Sequence, residues 1–64
     1  MKFHVPDMNC GHCTAAITKS LHAADAAAQI TTDLTIREIS VDTTLDAAAV
    51  IATLKTAGYS ASLR

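Results

Sequence analysis

The chain has 64 residues, half of them apolar, and a formal net charge of −1 at pH 7. A domain this short buries only about 60% of the surface of its unfolded chain, so a metal or a very regular fold often stabilises it. Its charges are dispersed, which gives no support to nucleic-acid binding, and no apolar run approaches the roughly 18 residues of a membrane-spanning helix.

A short strand and an amphipathic helix are predicted for the first part of the chain. Phe3 and Val5 alternate with polar neighbours, which indicates a strand that ends at Pro6, because proline cannot donate to a ladder. From about His12 the apolar residues recur at steps of three and four, which indicates a helix. Its buried face would hold Cys13, Ala16, Ile17, Leu21 and Ala24. The following alanine-rich stretch contains no glycine or proline to mark the end of the helix.

Two further strands are predicted in the middle of the chain. Alternate residues of the first are Ala28, Ile30, Thr32 and Leu34. The second alternates in the same way around Ile39 and Val41. The segment Thr35-Ile36-Arg37 is short enough to make the two strands a hairpin, although it lacks the Asn-Gly or Asp-Gly of the tightest hairpins.

A second helix and a final strand are predicted for the C-terminal part. Thr43 and Asp46 have the spacing of a capping box, and Gly58 has the place of a left-handed helix stop. The buried stripe of the helix would consist of Ala47, Val50, Ile51, Leu54 and Ala57. In the last strand, which would run from Tyr59 to Leu63, alternate residues are again apolar.

The order strand-helix-strand-strand-helix-strand predicts an α+β fold. In one domain it corresponds to the ferredoxin-like βαββαβ sandwich, with two helices on one face of a four-stranded antiparallel sheet. We expect residues 1–64 to form a single domain, since neither a linker nor a strong internal repeat is present.

Both cysteines lie in the segment Met8-Asn9-Cys10-Gly11-His12-Cys13, between the first strand and the first helix. Cys13 falls in the first turn of that helix, where the free N–H groups favour a thiolate, and thiolates bind metal. Two soft ligands suit Cu(I), whereas structural zinc needs four ligands. His4, His12 and His22 form no second ligand pair at zinc-finger spacing. A thiol-disulfide catalyst and two unrelated buried cysteines are the other interpretations of the motif, although a catalyst is expected in a longer chain.

The N-terminus suggests the compartment. Met1 and Lys2 lead directly into the first strand, without the apolar core of a signal peptide, so we expect a cytoplasmic protein. In that reducing environment, a cysteine pair is expected to be a metal or redox pair rather than a structural disulfide.

Over nearly its whole length the chain resembles the heavy-metal-associated domain family of small copper chaperones and the N-terminal modules of metal-transporting P-type ATPases. The resemblance is carried by Met8, Cys10 and Cys13, by the order of elements, and by the Gly58-Tyr59 pair. It implies Cu(I) as the cargo, Cys10 and Cys13 as its ligands, and no enzymatic activity. It also implies transfer of the ion by ligand exchange to the metal-binding domain of a copper-transporting P-type ATPase.

The resemblance also implies roles for the neighbours of the cysteines. Met8 would be a packing residue of the core, and Tyr59 would lie near the metal, where it could shield the site or donate a hydrogen bond. Asn9 replaces the aspartate that often precedes the first cysteine in zinc, cadmium and lead modules, which favours Cu(I). His12 would point to solvent more often than to the metal. Asp7 replaces a common glycine of the family.

Alternative functions remain open at this point. The chain could be a metal-binding module of the ATPase itself, a mercury or zinc binding protein, or, with less support, a thiol-disulfide oxidoreductase. Two Cys-x-x-Cys loops could also share ions in a metal-bridged homodimer. We expect no membrane insertion and no nucleic-acid partner.

Overall fold

A computed structural model describes all 64 residues, and its elements follow the predicted order. They are β1 (Lys2–His4), α1 (Gly11–Ala24), β2 (Gln29–Asp33), β3 (Glu38–Asp42), α2 (Ala47–Thr56) and β4 (Ser62–Leu63). The strands form one antiparallel sheet in the order β2-β3-β1-β4, with β1 and β3 in the centre. This arrangement confirms the ferredoxin-like prediction. Neither helix has the length and apolar character that crossing a bilayer requires.

The core lies between one face of the sheet and the two helices. Strand alternation puts Phe3 opposite Ile39 and Ile30 opposite Val41, so these side chains share a face. Nine apolar residues form the buried cluster: Phe3, Val5, Met8, Ile17, Leu21, Ile39, Val41, Val50 and Leu54. Burial of aliphatic side chains therefore supplies the main stabilisation, and Phe3 is the only aromatic residue in the cluster.

Helix α1 ends at Ala24, although the alanine-rich stretch that follows contains no glycine or proline. Asp25 is extended, and its carboxylate accepts hydrogen bonds from the Ala27 N–H and the Thr43 hydroxyl. These contacts join the end of α1 to the loop before α2. Ala24 is exposed, so the prediction that it belongs to the buried face was wrong.

The predicted capping box of α2 was also wrong, because the helix begins later. Asp46 is the N-cap, and its carboxylate accepts a hydrogen bond from the Ala49 N–H at 2.8 Å. Thr43 lies outside the helix, where its hydroxyl accepts from the Leu45 N–H and donates to Asp25.

The C-terminal end of α2 confirms the predicted glycine stop. Gly58 has a φ of +97°, and its N–H donates to the Lys55 carbonyl, while the Tyr59 N–H donates to the Leu54 carbonyl. These two bonds define a Schellman motif, in which glycine accepts the left-handed conformation without a Cβ penalty. The motif turns the chain sharply and fixes the position of Tyr59.

Two strands are shorter than predicted. Strand β2 excludes Ala28 and Leu34, and β4 contains only Ser62 and Leu63, so the prediction that it starts at Tyr59 was wrong. Leu63 is 56% exposed, because β4 lies at the edge of the sheet.

Three loops meet at one end of the sheet because β1 and α2 end there and β3 begins there. They are the cysteine loop (residues 5–10), the tip of the β2–β3 hairpin (residues 34–37) and the loop from α2 to β4 (residues 57–61). This end carries the candidate site.

Candidate metal centre

The two sulfur atoms lie together at the N-terminus of α1. Cys10 is the extended N-cap residue, and its carbonyl accepts hydrogen bonds from the N–H groups of Cys13 and Thr14. Because Cys13 is the third residue of the helix, one turn returns its side chain to Cys10, and the Sγ–Sγ distance is 3.4 Å. Both thiols are free, with Cys10 exposed and Cys13 half-buried.

The surroundings of Cys13 favour its thiolate. A backbone hydrogen bond from Asn9 is the largest influence that lowers the pKa of Cys13, followed by the hydrogen bonds from Tyr59 and Cys10. In its protonated form the Cys13 thiol can donate to the Asp7 carbonyl oxygen and to Asn9 Oδ1, each 3.7 Å from the sulfur. The thiolate is the form in which a cysteine binds a metal ion, so the lowered pKa of Cys13 is compatible with a role as a metal ligand.

Tyr59 reaches the site from the far end of the chain. Its hydrogen bond to Cys13 is the first cause that raises the pKa of the Tyr59 hydroxyl, and burial and the nearby thiolates act in the same direction. The Schellman motif at the end of α2 brings this ring to the cysteine loop. The opposite shifts in the pKa of Tyr59 and of Cys13, each caused in part by the other group, indicate that Tyr59 is a neighbour of Cys13.

Met8 anchors the cysteine loop to the core. Its side chain is fully buried in the apolar cluster, and its N–H donates to the Val5 carbonyl at 3.0 Å. The prediction that Met8 is a packing residue is confirmed. Between the anchor at Met8 and the start of α1, Asn9 and Cys10 are both exposed.

No third side chain completes a larger ligand set, since no three His, Cys, Asp or Glu residues are grouped as a metal site. His12 is exposed beside the cysteines. His22 lies near the opposite end of α1, where its ring nitrogen contacts the Ala28 carbonyl at 2.9 Å. His4 is half-buried, and its Nδ1 is buried without a hydrogen-bond partner.

The distance between the sulfurs fits a shared soft ion after a small movement. With metal–sulfur bonds of about 2.3 Å, the length known for zinc, two sulfurs lie about 3.8 Å apart at a tetrahedral ion and about 4.6 Å apart at a linear one. From the observed 3.4 Å, the sulfurs would separate by about 0.4 to 1.2 Å. Rotation of the exposed Cys10 side chain can supply that movement.

The structure is a small ferredoxin-like domain with two free thiols paired at one end of its sheet. Comparison with known families gives the same result, because the model of the heavy-metal-associated domain matches residues 2–60. The chain therefore belongs to the heavy-metal-associated domain family, which supports a heavy-metal ion as its ligand.

Solved structures with this fold include proteins of similar length. A gold binding protein is 38% identical and has a TM-score of 0.97, with 100% of this chain and 98% of that chain covered. The copper chaperone Atx1 from Synechocystis PCC6803, in a trimeric form, is 27% identical with a TM-score of 0.95 and coverage of 97% and 98%. An Agrobacterium tumefaciens protein is 33% identical with a TM-score of 0.86, and 94% of each chain is covered.

Proposed function

We propose that the protein is a copper chaperone that binds Cu(I) between Cys10 and Cys13. The observation that carries this proposal is the pair of sulfur atoms 3.4 Å apart at a helix N-terminus, with no larger group of ligands around them. Soft thiolates select Cu(I), whereas structural zinc takes four ligands in a closed site. The similarity to the copper chaperone Atx1 supports the same cargo.

Au(I) is a second candidate cargo. The 38% identity to a gold binding protein favours it, and a pair of thiolates offers the same soft donors to either ion. Competition between Cu(I) and Au(I) for the reduced protein, followed by mass spectrometry, distinguishes the two. Zn(II) and Hg(II) belong in the same series, because both bind thiolates.

We infer that the ion leaves by ligand exchange to the metal-binding domain of a copper-transporting P-type ATPase. A thiolate of the partner would approach from the side of Cys10, which is the more exposed cysteine. The ion would then be shared by three sulfurs until the donor thiolates are released. No covalent bond of a substrate is broken, so the proposed activity is not catalysis. Such a handover would serve copper transport and copper homeostasis.

We propose that residues 1–64 act as one domain in the cytoplasm, where thiols stay reduced. A module of the ATPase itself would use the same site and the same exchange. A metal-bridged homodimer is a further assembly consistent with exposed thiols, and native mass spectrometry at limiting Cu(I) would detect it.

Titration of the reduced protein with Cu(I) against a competing chelator tests the binding step. The double variant Cys10→Ser with Cys13→Ser is expected to lose high-affinity binding, because hydroxyl groups are poor ligands for a soft ion. Ser20→Ala provides the matched control, since Ser20 lies in the same helix about two turns beyond Cys13. The proposal is refuted if the double variant keeps the affinity of the wild type while its circular dichroism shows the native fold.

A further inference from the structure

The hairpin tip carries apolar side chains that the metal site does not use. Leu34 and Ile36 are 43% and 53% exposed, although hairpin tips are commonly built from glycine and polar residues. The other exposed large apolar side chains are Met1 and Leu63. Half of this exposed group therefore lies in one four-residue loop, which indicates a local reason for the exposure.

The hairpin tip is joined directly to the loop that carries Cys10. The start of β3 pairs with the end of β1, so the tip and the cysteine loop leave the sheet side by side. The Val5 N–H donates to the Arg37 carbonyl at 2.8 Å, and the Arg37 guanidinium donates to the Pro6 carbonyl at 3.4 Å. A partner that reaches Cys10 therefore meets the tip on the same end of the molecule.

Local contacts hold the backbone of the hairpin tip. Arg37 has a φ of +53°, a conformation that a residue with a side chain adopts when its surroundings stabilise it. The Thr35 N–H donates to Asp33 Oδ1 at 2.9 Å on the other side of the turn. Apolar side chains on an ordered loop lose less conformational entropy when a partner covers them.

An interface of the area usual for a weak complex, centred near Cys10, would also cover the hairpin tip. Weak, transient complexes bury less than about 1,200 Å² in total, or about 600 Å² on each partner. A circular contact of that area has a radius of about 14 Å. The Cα trace measures only 26 × 21 × 19 Å, so a contact centred near Cys10 extends over most of this end.

We propose that the hairpin tip is the apolar part of the docking surface for the domain that accepts the metal. The inference rests on the proposed function, because the handover requires a partner thiolate at Cys10. The charges of the tip and its neighbouring segments are mixed, because Arg37 lies in the tip, Asp33 directly precedes it and Asp7 lies in the cysteine loop, so no single sign of charge selects the partner. The expected partner presents apolar side chains around its own pair of thiolates.

Copper transfer to a soluble heavy-metal-associated domain of a copper-transporting P-type ATPase tests this surface. The double variant Leu34→Ser with Ile36→Ser removes the exposed apolar groups, and complex formation during transfer should weaken roughly tenfold to a hundredfold. Its Cu(I) affinity in isolation should stay within about twofold of the wild type, since both residues lie in the hairpin tip and outside the cysteine loop. Leu63→Ser is the matched control, because Leu63 is 56% exposed but lies on the edge strand β4.

Each outcome of this experiment has a separate meaning. Transfer by the double variant at the wild-type rate and affinity would overturn the docking surface and leave the copper-binding proposal intact. An equal loss in Leu63→Ser would also overturn it, because the effect would not be specific to the tip. Failure of the copper-loaded wild type to transfer would refute the handover and the docking surface together. Ile36→Lys, a single change of an exposed side chain, repeats the test if the double variant does not fold.

Discussion

Substitutions of Met8 test whether its side chain serves the hydrophobic core or binds the metal. A thioether is a soft group that can bind Cu(I), and Met8 lies two residues before Cys10. Its side chain, however, is fully buried in the apolar cluster, so its sulfur serves packing. Met8→Leu removes the sulfur and conserves the volume. We expect this variant to keep its Cu(I) affinity within about threefold and to lose less than about 1.5 kcal/mol of stability.

Met8→Ala should behave differently, because it leaves a cavity beneath the cysteine loop. Truncation of a buried methionine costs about 2–5 kcal/mol. A 64-residue domain has a total stability of about 3–10 kcal/mol, from about 0.05–0.15 kcal/mol per residue. The substitution therefore removes a large part of the free energy of unfolding. Each kilocalorie lowers the melting temperature of so small a domain by about 4–8 °C.

Urea unfolding of the reduced, metal-free proteins measures these losses, and chelator competition measures Cu(I) affinity. Cu(I) should restore folding of Met8→Ala, because a ligand at about 100 times its Kd adds about 2.7 kcal/mol to the native state. A tenfold loss of Cu(I) affinity in Met8→Leu, with an unchanged urea midpoint, would refute the packing role and make the sulfur a ligand. A loss below about 1 kcal/mol in Met8→Ala would contradict the buried position.

Three further predictions follow from the polar contacts. Tyr59→Phe removes a hydroxyl group that lowers the pKa of Cys13, so this pKa should rise. The pH dependence of the alkylation rate of Cys13 measures the change, and a profile identical to that of the wild type would exclude the contact. Asn9→Asp adds a hard oxygen near the sulfurs, so Zn(II) affinity should rise roughly tenfold in chelator competition while Cu(I) affinity stays constant. Hydrogen bonds from the Thr43 hydroxyl and the Ala27 N–H lower the pKa of Asp25 in the folded protein. The carboxylate therefore stabilises the fold at pH values above its unfolded pKa of about 4, and this contribution is lost as the pH falls through the lower pKa of the folded state. Asp25→Asn should therefore lower the urea midpoint at pH 7 more than at pH 3, and equal losses at both would contradict the charge-based explanation.

The sequence predicted those parts of the fold that depend on local periodicity. Alternation placed Phe3, Val5, Ile39 and Val41 inward, and the single glycine near the end of α2 marked the left-handed stop. Each of these signals lies in the sequence within a few residues of the element that it predicts, so a short sequence window is sufficient to detect it.

The errors concern features that depend on contacts between distant residues. The end of α1 is fixed by Asp25, whose carboxylate binds the Thr43 hydroxyl 18 positions away. Thr43 lies before α2, where its hydroxyl donates to Asp25 and accepts from the Leu45 N–H, and Asp46 caps the helix. A pattern that considers only neighbouring residues cannot foresee the contact between Thr43 and Asp25. The exposure of Leu63 has a similar cause, since it follows from the place of β4 at the sheet edge.

The candidate site likewise combines features that follow from local sequence with features that depend on distant residues. The spacing of Cys10 and Cys13 is enough to predict that one helical turn brings their sulfurs together. The hydrogen bond from Tyr59 required the family resemblance, because 46 positions separate this residue from Cys13 and only the Schellman turn unites them. The bonds from the hairpin tip to the cysteine loop had no local signal, since they depend on the pairing of β1 with β3.

The two cysteines differ in a way that suits a transient metal site. Cys13 belongs to α1, packs against the core and accepts hydrogen bonds from Asn9 and Tyr59, so its sulfur is held in place. Cys10 is exposed, lies in the extended N-cap position and makes no capping hydrogen bond with its side chain. Because Cys10 is exposed and Cys13 packs against the core, an opening of the pair from 3.4 Å around an ion would fall mainly on the Cys10 side chain. In the proposed handover the exposure of Cys10 would also admit a partner's thiolate, so binding and release would use one side of the site.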